Sequence, residues 1–518
     1  MHLLVLFLSH FVKNHFPGFD VLLINYYLGF YSIFPNYYLG KYFFVIFATE
    51  NRKERTMYYP RIIDNYLSDW SKRVDHKPLL LRGARQVGKS TAVRHLGESF
   101  ESFVEINFEK QPSYGLLFKD DLDVKRILPQ IAAMAGKPIE PGKTLLFLDE
   151  IQACPEAIMS LRFFKEDLPE LHVISAGSLL EFVLGELPTF GVGRIHSMFV
   201  YPMTFDEFLV ANGERLLIET RNQANAEKPL SDPIYQKLIR YFRTYMLVGG
   251  MPEVVSKWVE SHDYLACQEI QDDLLVTYED DFPKYSKKVA PSLLRKTLHS
   301  AALQATTKFV YSNVGEGYSA KEVKQALELL TLAGILIPVT LTSANGLPLG
   351  SEVNPSFQKM LLFDSGLMLR LLNMTTGNES AQTEHILLSS IVDLVNKGPM
   401  AELIAGLELL RYRTPNIRHE IFYWVRQAKN STAEVDYISV HNQTVLPIEV
   451  KAGTQGGMKS LWMFMRDKHL KNAVRCSLEN FGTFDFIDKE DFDSVRHVQK
   501  CPLFAISQLE TILNDFQW

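Results

Sequence analysis

Residues 83–90 read GARQVGKS, an uninterrupted G-x-x-x-x-G-K-S, and LLFLDE follows at 145–150. Glycines at 83 and 88 let the backbone take conformations closed to other residues, so the amides from Gly83 through Ala84, Arg85, Gln86, Val87, Gly88, Lys89, Ser90 and Thr91 can converge on phosphate. Lys89 supplies a point charge for the β- and γ-phosphates. The Ser90 hydroxyl is a Mg²⁺ ligand at the start of a helix whose dipole favours the anion. KPLLLRG at 77–83 reads as a short strand, and Val93, Leu96 and Phe100 fall at helical spacing behind the loop. Asp149 ends a buried strand, where it would hold Mg²⁺ through water, and Glu150 would orient and deprotonate an attacking water. The pattern predicts ATP binding with hydrolysis, against the plainer reading of Glu150 as a solvated strand-end acid.

Further short apolar runs occur at 103–108, 171–177 and 198–202, with helix-length segments between them. Together with the first two they predict a parallel sheet covered on both faces. Ser178, just past the fourth run, lies where a hydroxyl can sense the γ-phosphate or position water; capping of the next helix is the alternative. Arg194 is a candidate for neutralising transition-state charge, within this subunit or across to a neighbour, and is otherwise an ordinary surface arginine.

The 518 residues, 47% apolar and 22% charged, have room for about three globular domains. A formal net charge of −6 gives no global basic field, so contact with nucleic acid would need a local patch. Cysteines 154, 267, 476 and 501 show no C-x-x-C or metal-ligand spacing. They suit free thiols in a reducing, cytoplasmic setting. Residues 1–56 are crowded with Phe, Tyr, Leu and Ile, yet Lys13, Asp20, Pro35 and Lys41 interrupt every run short of a membrane span. We read them as a non-native or disordered extension, with a membrane anchor as the rival and no membrane expected, and place the start of the normal chain at Met57.

Residues 205–290 have helical spacing broken by VGGMPEVV at 248–255, as in a lid or linker. In SAKEVKQALELLTLAGILIPVTLT at 319–342, Val323, Ala326, Leu327, Leu330 and Ala333 share one stripe before Gly334 and a strand. That is the pattern of a winged helix, either a DNA reader or, as we favour, a bracket between domains. IFYWVRQAKNSTAEVDYISVHNQTVLPIEVKAG at 421–453 reads as a three-stranded meander. Asp436 sits on its second strand, and Glu449 and Lys451 fall on one face of its third. Two carboxylates sharing Mg²⁺ beside a lysine form a minimal set for phosphodiester cleavage. Glu402, on the helical run AELIAGLELL, could complete the cluster; a solvated strand face is the bland alternative.

The elements GARQVGKST, LLFLDEIQ, AGS, VGR, YPMTFDEFL, VGGMPEVV, EVDYI and IEVKAG, in this order, resemble bacterial and archaeal AAA-type P-loop ATPases that carry a C-terminal restriction-endonuclease-like domain of unknown function. The resemblance runs from Met57 nearly to the C-terminus. It implies an α/β chain with a P-loop ATPase core at 57–210, a helical lid or linker at 211–294, a winged-helix-like part at 295–378 and a restriction-endonuclease-like α/β domain at 379–518. From the P-loop family it implies ATP and Mg²⁺ as cofactors, with Lys89, Ser90, Asp149, Glu150 and Ser178 in the roles above. From the PD-(D/E)xK fold it implies Asp436, Glu449 and Lys451, with Glu402 as helical acid, although Val435 rather than proline precedes Asp436. Two functions follow: nucleotide state controls a nuclease-like module acting on DNA, or the chain is a regulatory switch whose inactive C-terminal domain binds proteins. A homo-oligomer would be required if Arg194 acted across subunits.

Overall fold

The computed structural model describes residues 58–187, 193–286, 288–372, 397–426, 433–452 and 457–514. The reading of residues 1–56 lies outside them. Helix α1 (Ile62–Ser71) buries Ile63, Leu67 and Trp70 on a single stripe. After it, strands β1 (Leu79–Arg82), β2 (Ser102–Asn107), β3 (Thr144–Asp149), β4 (His172–Ala176) and β5 (His196–Phe199) alternate with helices α2 (Lys89–Gly97), α3 (Val124–Ala135), α4 (Pro155–Asp167) and α5 (Leu180–Leu184). The strands form one sheet in the order β2-β3-β4-β1-β5, every pairing parallel. Its central strands are buried at every position of β3 and β4. Alternate residues feed two cores. Leu79, Leu81, Leu145, Phe147, Ile174 and Ala176 join one, and Leu80, Leu146, Leu148 and Val173 the other. This is the doubly covered parallel sheet that the apolar runs predict.

Helices follow: α6 (Phe205–Ala211), α7 (Arg215–Asn222), α8 (Asp232–Val248), α9 (Pro252–Ser261), α10 (Tyr264–Tyr285), α11 (Pro291–Leu303) and α12 (Ala320–Leu332). A reciprocal capping box between Thr204 and Glu207 starts α6, and Ser319 with Glu322 starts α12 in the same way. The stripe Val323, Ala326, Leu327, Leu330 and Ala333 is buried. Gly334 follows with a positive φ of 75°. The chain then enters the hairpin β6 (Leu336–Thr342) and β7 (Val353–Leu362), α13 (Ser365–Leu371) and α14 (Lys397–Arg411). The remainder comprises β8 (Ile421–Val425), β9 (Glu434–His441), β10 (Thr444–Val450), α15 (Lys459–Asp467), β11 (Asn472–Ser477), β12 (Gly482–Asp488), β13 (Ser494–Pro502) and α16 (Leu509–Asn514).

These later strands make a second, mixed sheet in the order β12-β13-β11-β10-β9-β8-β6-β7. The meander β8-β9-β10 is antiparallel, as its alternation suggests. The hairpin β6–β7 belongs to the same sheet, because β6 pairs with β8 in parallel register, Val339 opposite Ile421. A two-stranded hairpin is marginal by itself, and this lateral pairing gives it a partner. The boundary drawn at residue 378 therefore separates segments that share one hydrogen-bonded sheet.

The turn after α8 joins the helices to both sheets. Gly250 donates its amide to Asp364 Oδ2 at 2.7 Å, and its carbonyl accepts from the Met203 amide at 2.6 Å. A Cβ at Gly250 would lie 2.2 Å from the Met203 carbonyl oxygen, which only a backbone shift can relieve. Nearby, the buried Arg411 guanidinium donates to the Met203 and Phe363 carbonyls at 3.1 and 2.6 Å, tying α14 to the same junction. Gly250→Ala should therefore destabilise the fold by about 1–3 kcal/mol. Thermal or urea unfolding of the purified variant measures it, and an unchanged midpoint would contradict the packing described.

Candidate functional site

The GARQVGKS loop leaves the carboxyl end of β1 and enters α2, with Gly88 at φ 93° and Gln86 at φ 60°. Gly83, at φ 141°, lies so close to the next segment that a Cβ would meet the Val200 carbonyl oxygen at 2.1 Å. Glycine is required there twice over, for conformation and for space. The Lys89 ammonium is buried and donates to the Gly83 and Ala84 carbonyls at 2.9 and 2.6 Å. Burial pulls it down to about 8, against the raising influence of Glu150 and Asp149. Ser90 Oγ donates to Asp149 Oδ1 at 2.9 Å, and Asn107 Nδ2 donates to Asp149 Oδ2 at 3.0 Å. Burial pushes the Asp149 carboxyl up, while those two hydrogen bonds oppose the shift. Ser90 and Asp149 are thus hydrogen-bonded to each other, and the Asp149 charge acts on the adjacent Lys89.

Glu150 takes a left-handed backbone conformation, φ 48°, and its carboxylate accepts from Gln152 Nε2 at 2.6 Å. That conformation is uncommon for a side chain with a Cβ. Ser178 follows β4, is buried, and its Oγ has no hydrogen-bond partner among the described residues. Gly83, Ala84 and Ser178 together line a cleft of about 1220 Å³ that runs on to the β6–β7 hairpin and to Arg413 and Arg418. Arg194 is not part of this assembly. It is exposed, and its described contact is with Glu166 on α4, at 3.1 Å.

Neighbouring elements hold the loop from outside, and no local signal in the sequence announces them. Arg61 donates to the Val87 carbonyl at 3.0 Å and to the Tyr201 carbonyl at 2.8 Å, and pairs with Glu207 at 2.9 Å. Tyr278 of α10 donates to the Arg85 carbonyl at 2.7 Å, and the Arg85 side chain pairs with Asp281. A Cβ at Gly334 would sit 3.2 Å from the Ala84 amide nitrogen, so the root of the β6–β7 hairpin packs directly on the loop.

The second cluster lies on the mixed sheet. Asp436 on β9 accepts from the Val450 amide at 2.7 Å, and Glu449 on β10 pairs with Lys451, which stands one residue past the strand's end. Glu449 Oε2 is buried without a partner among the described residues. Glu402 of α14, Glu434 and Asp436 bring carboxylate oxygens within 4.8 Å of one another. Sequence reasoning passes over Glu434, although E-V-D alternation puts it on the same face as Asp436. It also passes over Lys359 of β7. That lysine is fully buried, lies 2.7 Å from Glu402 Oε1 and pairs with Glu434. Burial alone would lower its ammonium, yet the carboxylates of Glu402, Glu434 and Asp436 outweigh that and hold it above its ordinary value. Burial, reinforced by repulsion from Asp436, pushes the Glu402 and Glu449 carboxyls up.

Residues 75–209 match the family model of an AAA domain. The first sheet and its loop are therefore those of an AAA-type, ATPase-like domain with a P-loop fold. Residues 239–378 and 397–488 match two domains of unknown function, DUF8612 and DUF4143. No curated protein matches the chain. Among solved structures, it is similar to a variant of Thermotoga maritima RuvB at 16% identity and a TM-score of 0.27, over 54% of this chain and 92% of that one. A structure of Drosophila ORC bound to DNA shares 14% identity with a TM-score of 0.23, over 60% and 85%. Unliganded Pif1 from Bacteroides sp. shares 16% with a TM-score of 0.17, over 37% and 52%. Similarities of this size say nothing of substrate or partner. Among the described residues no helix is long and apolar enough to cross a membrane.

Removing the Arg61 side chain leaves the buried Glu207 carboxylate with the Ile62 and Thr204 amides but without its ion-pair cation, and frees two carbonyls beside the loop. Arg61→Ala should cost about 3–5 kcal/mol of stability. A denaturant titration against wild type checks this, and a loss within error would show that Arg61 is not part of the loop's support.

Proposed function

We propose that the chain is an ATP hydrolase whose nucleotide state controls a C-terminal, nuclease-like module directed at DNA. The observation that carries the ATPase half is the convergence of Lys89, Ser90 and Asp149 at the end of β1 and β3. Lys89 would meet the β- and γ-phosphates in place of the Gly83 and Ala84 carbonyls it now contacts, and the amides from Gly83 to Thr91 would surround them. Ser90 and Asp149 would hold Mg²⁺, which neutralises phosphate charge when bound. The fit is supported by their oxygen-only pairing and by the orphaned Ser178 hydroxyl, which is available to the γ-phosphate or to water. Glu150 would take the proton of the attacking water once released from Gln152. Arg194 remains a candidate for this site only across subunits, given its pairing with Glu166.

In the C-terminal module, Glu402, Glu434, Asp436 and Glu449 offer a hard-oxygen donor set suited to Mg²⁺ or Mn²⁺, and Lys451 would steady a phosphodiester in transit. The helix pair α11–α12 with the β6–β7 hairpin would act as the winged-helix-like bracket between the two domains. Its contact at Gly334 with Ala84 is the route by which nucleotide would reach the second sheet. The alternative reading, a switch with an inactive C-terminal domain that binds protein partners, is favoured by one observation: a lysine already sits among the acids.

Lys89→Ala should lose nucleotide binding in a fluorescent-ATP titration, because a phosphate-bound cation is worth a few kcal/mol; undiminished affinity would refute the loop's role. Glu150→Gln should retain binding but slow phosphate release by about a hundredfold or more, and wild-type turnover would remove Glu150 as base. Incubation of plasmid DNA with Mn²⁺ should yield cleavage that Asp436→Ala and Lys451→Ala abolish. Intact DNA beside normal ATP turnover would favour the switch.

A further inference from the structure

The second cluster has an unusual internal balance. The carboxylates of Glu402, Glu434, Asp436 and Glu449 interact with one another and with the ammonium groups of Lys359 and Lys451. Of the two lysines, Lys451 stands at the edge, a quarter exposed, and contacts Glu449 alone among these acids. Lys359 is fully buried, and its Nζ contacts both Glu402 and Glu434, two of the three acids whose oxygens converge. The Tyr423 ring lies behind it, with its centroid 4.9 Å from Nζ. An ammonium group is a compact hard cation that accepts the same carboxylate oxygens a divalent ion would take. With all four acids ionised, as a divalent cation would hold them, their carboxylates would outnumber the ammonium groups of Lys359 and Lys451. Beside the three acids whose oxygens converge, the buried Glu449 keeps one oxygen without a partner among the described residues, and Asp436 is the strongest charged influence on it.

We propose that Lys359 is a tethered occupant of the C-terminal acidic site, and that a divalent cation binds there only by displacing its ammonium group. Lys359 then sets the threshold concentration of metal at which the module loads. Its position gives that threshold a mechanical handle, since β7 is the outer strand of the hairpin whose root packs on the ATP-binding loop. The inference rests on the reading of this cluster as a metal site, and goes beyond it by assigning a competitor.

The test is Mn²⁺ binding to the full chain without nucleotide, by titration calorimetry, with Asp436→Asn used to subtract binding elsewhere. Lys359→Gln should bind one Mn²⁺ at least tenfold more tightly than wild type. Because an unneutralised set of buried acids can prevent folding, a charge-balanced pair provides the second measurement: Lys359→Met/Glu434→Gln against Glu434→Gln alone. Both lack the same carboxylate, so their difference isolates the lysine, and the double variant should again be at least tenfold tighter. Equal or weaker binding by the double variant, while wild type binds metal, overturns the competitor role and leaves the metal site standing. Absence of any Mn²⁺ binding sensitive to Asp436→Asn in every variant overturns both.

Discussion

The burial of one ammonium group organises the first half of this molecule. Lys89 lies almost out of reach of water, and an unpaired cation there would carry a large desolvation penalty. The chain offsets it with the carbonyls of Gly83 and Ala84, which can both face Lys89 only because Gly83 adopts a backbone conformation that other residues avoid. That curl brings the Gly83 α-carbon against the Val200 carbonyl, so the geometry of the loop depends on the segment after β5 as well as on β1. Arg61 ties Val87 to Tyr201 across the same gap. An arriving phosphate would exchange neutral carbonyls for anionic oxygens around the same lysine, a change favourable enough to be felt by whatever packs on the loop.

Much of the AAA-type domain is legible in the sequence because its signals are local. Apolar runs of four to six residues mark the strands of the parallel sheet, and the loop glycines sit where the backbone needs positive φ. The meander at 421–450 is readable for a similar reason, since alternation fixes which side chains share a face. Glu434 is within reach by that rule, being two residues before Asp436. What cannot be read is any pairing created by tertiary contact between distant segments. Lys359 stands in an apolar run 43 residues before Glu402, and nothing in QKMLLF says its ammonium will be buried among acids. The joining of β6 to β8 is similarly invisible, because parallel register between remote strands leaves no periodic trace.

The helical middle works as a clamp around the loop. Tyr278 and Asp281 are three residues apart on α10, one turn, so both face the loop, and they take hold of the same residue, Arg85, by its carbonyl and its guanidinium. Pro252, next to the glycine turn, reaches toward Gly88 from another side. A loop gripped at Ala84, Arg85, Val87 and Gly88 cannot alter its curvature without moving at least one of its neighbours.

That constraint gives the arrangement of the two sheets its mechanical sense. The only covalent step between Gly334, seated on Ala84, and the strand β6 is the single residue Ile335, which is itself buried and whose carbonyl accepts from the Phe363 amide at 3.0 Å. Any displacement at Gly334 therefore enters a hydrogen-bonded hairpin rather than a slack linker, and β7, registered against β6 from Leu336 opposite Leu362 to Val339 opposite Lys359, must follow it. A shift at the root of about an ångström would be enough to lengthen a charge-assisted hydrogen bond beyond its favourable range. Lys359 is three pairs along that ladder from the root, and its contact with Glu402 is made to a different element, α14, whose Arg411 donates to the Phe363 carbonyl at the base of the same hairpin. Hairpin and helix are thus joined at two places, Lys359 with Glu402 and Phe363 with Arg411, so a displacement of the root loads both contacts together rather than passing into slack chain.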